Sequence, residues 1–203
     1  MAKIPVRSAF QTTMSISEFI QRLWRKLELC LPQPISILRR VLWQIRGLQI
    51  GEGTRLPKCC VTWPHQVRIG NRCVLQPDIF FNVDHYWTPG PMIEIGDRVF
   101  IGKGVEFNCR ERIHVNDDAL IAAGCRLIDC DHGTAPGQLI GAQPIATAGI
   151  VVGKGAWLGA NVLVLRGAQI GDGAIVGAGS VVTQHVPAGE IWAGVPARFL
   201  RSR

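Results

Sequence analysis

No apolar run in this chain reaches membrane-spanning length. Its N-terminus, MAKIPVRSAFQTTMSISEFIQRLWRKLELC, also lacks the continuous hydrophobic stretch of a signal peptide. The seven cysteines form no CxxC pair and no Cys/His metal spacing, and the adjacent Cys59 and Cys60 are poorly placed to bridge each other. These absences argue against a spanning protein and a zinc module, and they favour free thiols in a reducing cytoplasm. Zinc-finger and RNA-recognition signatures are missing, and the aromatics are not interleaved with the basic residues, so nucleic acid is a poor partner. Charged residues make up only 18% of the chain and hydrophobic ones 47%, the balance of a globular protein. At 203 residues it fits one domain, or one domain with a small extension.

What is present is a net charge of +7, concentrated in residues 1–46 and in the tail Arg198, Arg201 and Arg203. An anionic membrane surface or a phosphate-rich ligand would suit that excess. Residues 15–46 read as helical. Phe19, Ile20, Leu23, Trp24, Leu27 and Leu31 recur at helical spacing, Pro32 and Pro34 interrupt, and a second short helix over 35–46 carries Leu38, Leu42 and Ile45 on one face. Two readings of this segment stand together: packing on the rest of the protein or on a neighbouring subunit, or peripheral contact of residues 15–46 with the inner face of a membrane.

From about residue 50 the chain counts in sixes. Ile69 and Leu75 begin the count, Ile95, Ile101, Phe107 and Ile113 continue it in a new phase, Val115, Ile121 and Leu127 follow in another, and Val152, Leu158, Val164, Ile170, Val176 and Val182 form the longest run. Neither a helix nor a plain alternating strand has this period. It is the period of a parallel β-helix of hexapeptide repeats, an all-β solenoid in which each hexad supplies one short strand and one corner. The first position points into the prism. The fifth, small at Ala156, Ala168, Ala174 and Ser180, does so too. Glycine, numbering 23, clusters after residue 95, as many tight corners require. The expected organisation is a basic helical segment over 1–48, a β-helix over 49–190 and a tail over 191–203.

Two segments break the count. Residues 82–94 do so, and residues 129–149 do so again as a Gly/Pro-rich loop holding Asp131, His132 and Gly133. Leu127 and Val152 are 25 residues apart, one more than four hexads, so the ladder is not expected to run straight through. Loops on rigid scaffolds often carry function.

The hexads, the DHG loop, the re-entry IVVGKGAWLGANVLVLRGAQIG and the ending WAGVPARFL together resemble the hexapeptide-repeat acyltransferases with a left-handed parallel β-helix. The similarity covers roughly residues 65–200. It is to the xenobiotic, maltose and galactoside O-acetyltransferases and to their relatives that acetylate surface polysaccharides. The resemblance implies a homotrimer using acetyl-CoA as co-substrate without a metal, with active sites between subunits. It implies His132 as general base on an acceptor hydroxyl, a role that suits an imidazole. By the same resemblance Trp157, Gly159, Ala160, Gly177, Ala178, Ser180 and Arg198 match the coenzyme A positions, and Lys154, Arg166 and Arg201 are further phosphate candidates. Asn108, His85 and Asp131 are candidate acceptor contacts. Asp129 and Asp131 are placed to orient an imidazole, whereas His65, His114 and His185 are expected to be structural.

The departure from that family is the basic, Trp-bearing segment 1–46 in place of an acidic helical region. It points away from a small free sugar and toward a surface glycan (capsule, exopolysaccharide or lipopolysaccharide) or its precursor, acetylated in the cytoplasm. The competing readings are a small acceptor such as a free sugar, an antibiotic or serine, and a non-catalytic hexapeptide scaffold. A β-helical carbonic anhydrase would need three zinc-binding histidines, and only His132 stands at the loop.

Overall fold

The computed structural model describes residues 34–84 and 90–203. The expected helix over 15–31 and the candidate His85 lie outside the described residues.

Pro34 opens the helix Pro34–Ile45, a position where its locked φ and missing N–H cost nothing. The expected stripe of Leu38, Leu42 and Ile45 does share one side, but that side is open among the described residues. Two other groups attach the helix. Trp43 packs against the core. Arg40 donates to the carbonyls of Thr54, Ile50 and Gly51 at 3.1, 3.3 and 3.2 Å. Those carbonyls belong to the first turn of the solenoid, so a guanidinium with five donors caps its end.

The hexads then wind a left-handed parallel β-helix with three faces. The first face stacks Gln49–Ile50, Val67–Ile69, Ile93–Ile95, Ile113–Val115, Ile150–Val152 and Gln169–Ile170. The second stacks Val74–Leu75, Phe100–Ile101, Leu120–Ile121, Trp157–Leu158, Ile175–Val176 and Glu190–Gly194, closed by the antiparallel strand Ala197–Ser202. The third stacks Cys59–Val61, Ile79–Val83, Glu106–Cys109, Arg126–Ile128, Leu163–Val164 and Val181–Val182.

The first hexad positions form buried ladders, such as Ile69, Ile95, Val115, Val152 and Ile170 on the first face. On the third face Phe81 stacks on Phe107 at 5.1 Å between ring centroids. Ala156, Ala168, Ala174 and Ser180 are buried as expected, because the interior narrows there. No coil could bury this core alone; each depends on its neighbours.

The ladder does run through the loop, contrary to expectation. Val152 pairs with Val115 and Val164 with Leu127, in register. The corner from the third face to the first is where the chain inserts residues, so the excess leaves the prism without shifting the next coil. Eight residues separate Val61 from Ile69, 14 separate Phe81 from Ile95, and 25 separate Leu127 from Val152, against six at every corner between the first and second faces.

Those regular corners have a fixed chemistry. Their fourth hexad position takes positive φ, as at Arg72, Arg98, Asp118, Gly155 and Gly173. Their third position often carries a side chain that accepts a backbone N–H from the preceding coil: Asp97 from Asn71 at 2.7 Å, Asp117 from Asp97 at 2.8 Å, Asp172 from Lys154 at 2.8 Å. The Asn71 N–H beside Asp97, and the Arg98 guanidinium beside Asp118, hold these carboxyls below the usual range.

Candidate active site

The long insertion is a hairpin. Cys130–His132 pairs antiparallel with Ile145–Thr147, placing His132 opposite Ile145. A short 3₁₀ turn, Ile140–Ala142, lies near its tip. The His132 imidazole is exposed and has no hydrogen bond to a described residue. Its position is set by the backbone pairing of the hairpin.

The acidic neighbours do not orient it. Asp129 is fully buried and accepts the N–H groups of Arg110, Glu111 and Arg112 at 2.7, 2.9 and 2.9 Å. It therefore holds the irregular corner of the preceding coil. Asp131 pairs with Arg166, Oδ2 to Nε 2.8 Å, tying the base of the hairpin to the next coil. Arg166, a phosphate candidate by sequence, is engaged there. Burial first, and then the Asp129 carboxylate, pushes the Cys109 thiol far above its ordinary range, and the same two causes raise Cys130. Held protonated, these thiols are poor nucleophiles.

Asn108 lies on the third face near the same corner, where Asn82 donates to its Oδ1 at 3.2 Å. Ile128 is paired opposite Asn108, and His132 follows four residues later on the hairpin. Asn82 escaped the sequence reading, although the repeated Phe-Asn dipeptide at 81–82 and 107–108 marks it. Arg110, bound to Asp84 at 3.2 Å, continues the polar surface. It joins Arg68, Met92, Glu94 and Arg112 around an open recess of about 640 Å³. Burial works against the Glu94 charge, yet hydrogen bonds from Arg112 and Arg68 hold its carboxyl below the usual range.

Most of the coenzyme candidates gather elsewhere. Gly159, Ala160, Gly177 and Ala178 follow the second-face strands Trp157–Leu158 and Ile175–Val176, and so line the edge between the second and third faces. A Cβ at Gly159 would lie 2.6 Å from the Ala178 backbone nitrogen, and one at Gly177 would lie 2.8 Å from the Ala193 Cβ. Coil stacking alone requires these glycines. Ser180 is buried and accepts the Gly194 N–H at 3.0 Å, so its hydroxyl faces inward. Arg198 is exposed on the closing strand and donates to the adjacent Ala197 carbonyl. Trp157 is 47% exposed on the second face, in an outward column with Val74, Phe100, Leu120, Ile175 and Ile191.

One chain thus puts His132 at the third–first edge and the small-residue column at the second–third edge, a whole face apart. His65 and His114 are half-buried in contacts with Gln66 and Asn116, and His185 is exposed on a connection. The six described cysteines are free. Among the described residues no group of His, Cys, Asp and Glu could hold a metal, and no helix is long and apolar enough to cross a membrane.

Residues 149–184 match the family of bacterial transferase hexapeptides (six repeats), and residues 92–127 match the hexapeptide repeat of succinyl-transferase. The chain is 28% identical, over 187 residues, to the probable acetyltransferase Rv3034c of Mycobacterium tuberculosis. That match takes in 91% of this chain and 58% of the relative, so the chain spans little more than half the relative's length. Among solved structures, it is similar to the hexapeptide-repeat containing acetyltransferase VCA0836 of Vibrio cholerae, at 25% identity and TM-score 0.58, over 94% of each chain. It also shares the fold of AntD, an N-acyltransferase from Bacillus cereus, solved as a point mutant with dTDP and coenzyme A. There the identity is 22% and the TM-score 0.67, over 81% of this chain and 88% of that one.

Proposed function

We propose that this hexapeptide-repeat chain is an acetyl-CoA-dependent O-acetyltransferase whose acceptor is a sugar hydroxyl, with His132 as general base. The observation that carries the reading is an imidazole with no hydrogen bond to a described residue, presented on a hairpin that leaves an otherwise continuous ladder. The acceptor hydroxyl gives its proton to His132 as its oxygen attacks the thioester carbonyl. The tetrahedral intermediate collapses to the ester, and the departing sulfur takes the proton from the imidazolium. An asparagine pair and a recess lined by charged side chains suit a polyhydroxylated acceptor better than an apolar one. The acetyltransferase relatives in Mycobacterium tuberculosis and Vibrio cholerae, and the coenzyme A in the AntD complex, support the donor.

A homotrimer accounts for the split site. If the hairpin edge of one copy meets the small-residue edge of the next, base and thioester come together across a heterologous interface that closes by rotation. The outward column of Val74, Leu120 and Trp157 offers apolar surface for that packing. The exposed Leu139 and Ile140 near the hairpin tip offer a contact for the neighbour. The acceptor is a surface glycan or its precursor. The open apolar side of helix Pro34–Ile45, with Arg39 and Arg46 beside it in the chain, fits work close to an anionic membrane.

The test is thiol release from acetyl-CoA with activated sugars, glycan fragments, antibiotics and serine as acceptors. Sugar-dependent release that His132→Ala removes is expected. Full transfer by His132→Ala would sink the base assignment, and a monomer by light scattering would sink the inter-subunit site.

A further inference from the structure

Between Cys130 and Gly149 nearly every side chain is exposed or half-exposed, and residues 134–142 are all exposed. Hydrophobic burial therefore does not hold the hairpin in shape. Gln143 is the one buried residue in the segment, at 7% exposure. Its Oε1 accepts the Ala135 N–H at 2.7 Å, and its Nε2 donates to the carbonyls of Ala135 at 3.1 Å and Gln138 at 3.2 Å. A primary amide is the side chain suited to this, because it must accept and donate at once across the mouth of the loop.

The grip extends to the residue after the base. Gly133 donates its N–H to the Pro144 carbonyl at 3.2 Å. A Cβ on Gly133 would lie 2.8 Å from both Cβ and Oε1 of Gln143, and 3.1 Å from the Pro144 oxygen. Glycine follows His132 because the Gln143 side chain occupies the space a larger residue would need. From this contact we infer that Gln143 is a positioning residue: it clamps the hairpin from inside and so fixes where the His132 imidazole stands. The inference rests on His132 being the base. It adds a reason why that base can be accurate on a loop with no hydrogen-bonded partner of its own among the described residues. Displacement of a catalytic group by about 1 Å can cost on the order of 100-fold in rate, so a loop with no core needs such a device.

The test compares Gln143→Leu, His132→Ala and the double variant. Gln143→Leu keeps the bulk and removes all three bonds. We expect kcat to fall about 10- to 100-fold with KM for acetyl-CoA nearly unchanged. The thermal midpoint should hold, because the coils on either side pair with each other in register and the hairpin lies outside them. In the His132→Ala background the same change should cost nothing further, since it acts through the imidazole. Amide exchange at Gly133 and Ala135, measured without substrates, should accelerate in Gln143→Leu. Gln143→Glu, which keeps one acceptor but sets a carboxylate oxygen against the Ala135 and Gln138 carbonyls, should lower kcat at least as far and serves if the Leu variant misfolds. Wild-type kcat in Gln143→Leu alongside an inactive His132→Ala overturns this inference alone. So does an equal fall in both backgrounds, or unchanged exchange. Full activity in His132→Ala overturns the base assignment, whatever Gln143 does.

Discussion

The edge between the first and second faces and the edge between the third and first are made by the same chain, with opposite habits. The first turns in six residues every time, with a positive-φ residue and often a carboxylate or amide stapled to the coil before it. The second takes 4, 6, 8, 14 or 25 residues, and its supports are individual: Asp129 under residues 110–112, Arg166 on Asp131, Gln143 inside the hairpin. The regular edge transmits register from coil to coil. The irregular one is released from that duty, because the ladders on either side hold the register for it, and so it is free to carry a site.

The sharpest break of this comparison is replacement of residues 130–147 by a short Gly/Ser turn. It should abolish acetyl transfer while the protein still unfolds cooperatively near the wild-type midpoint, which activity assays and circular dichroism would check together. Phe107→Ala should do the reverse. It empties a fully buried site stacked on Phe81 and should cost about 3–5 kcal/mol in denaturant unfolding. Asp129→Ala tests the boundary between the two habits. Three backbone N–H groups lose their acceptor in a buried corner, so a loss of about 3 kcal/mol is expected, with some loss of activity because the hairpin leaves from the same residue.

A smaller effect is expected at Gly155, on the regular edge. Its φ is 62° and nothing lies within 4 Å of an added Cβ, so Gly155→Ala should cost only the conformational term, about 1 kcal/mol, with kcat untouched. The mildest probe is pH. Asp97, Asp118 and Glu94 have folded pKa values held below their ordinary ones. Their contribution is therefore present above the unfolded carboxylate range, about pH 4, and is lost as pH falls through the lowered values. A thermal midpoint flat from neutrality to about pH 5 and falling below it is expected, and Asp97→Asn should shallow that fall.

Much of this was legible beforehand, because the period of six is a geometric demand made on every coil. Val152 through Val182 face inward as the count requires, and the small fifth positions are buried with them. His132 stood out because it lies where the count stops. The loop's effect on the ladder was not legible: 25 residues looks like a phase error until all the excess is seen to leave at one corner. Asp131 looked like a partner for His132 and is Arg166's instead, since the guanidinium on the next coil stands 2.8 Å from its carboxylate. Gln143 carries no signal in a one-dimensional pattern, for its importance is a set of three bonds to residues five to eight positions away.

The sequence by itself determined the solenoid and its corners, since each follows from which side chains tolerate an interior or a left-handed turn, and it singled out His132 only by its place at the break in the count. Tertiary structure alone decided which residues stand together. His132 and the small-residue column occupy different edges of one prism. That separation comes from winding, which sets successive hexads on different faces and returns to the same face only after a full coil.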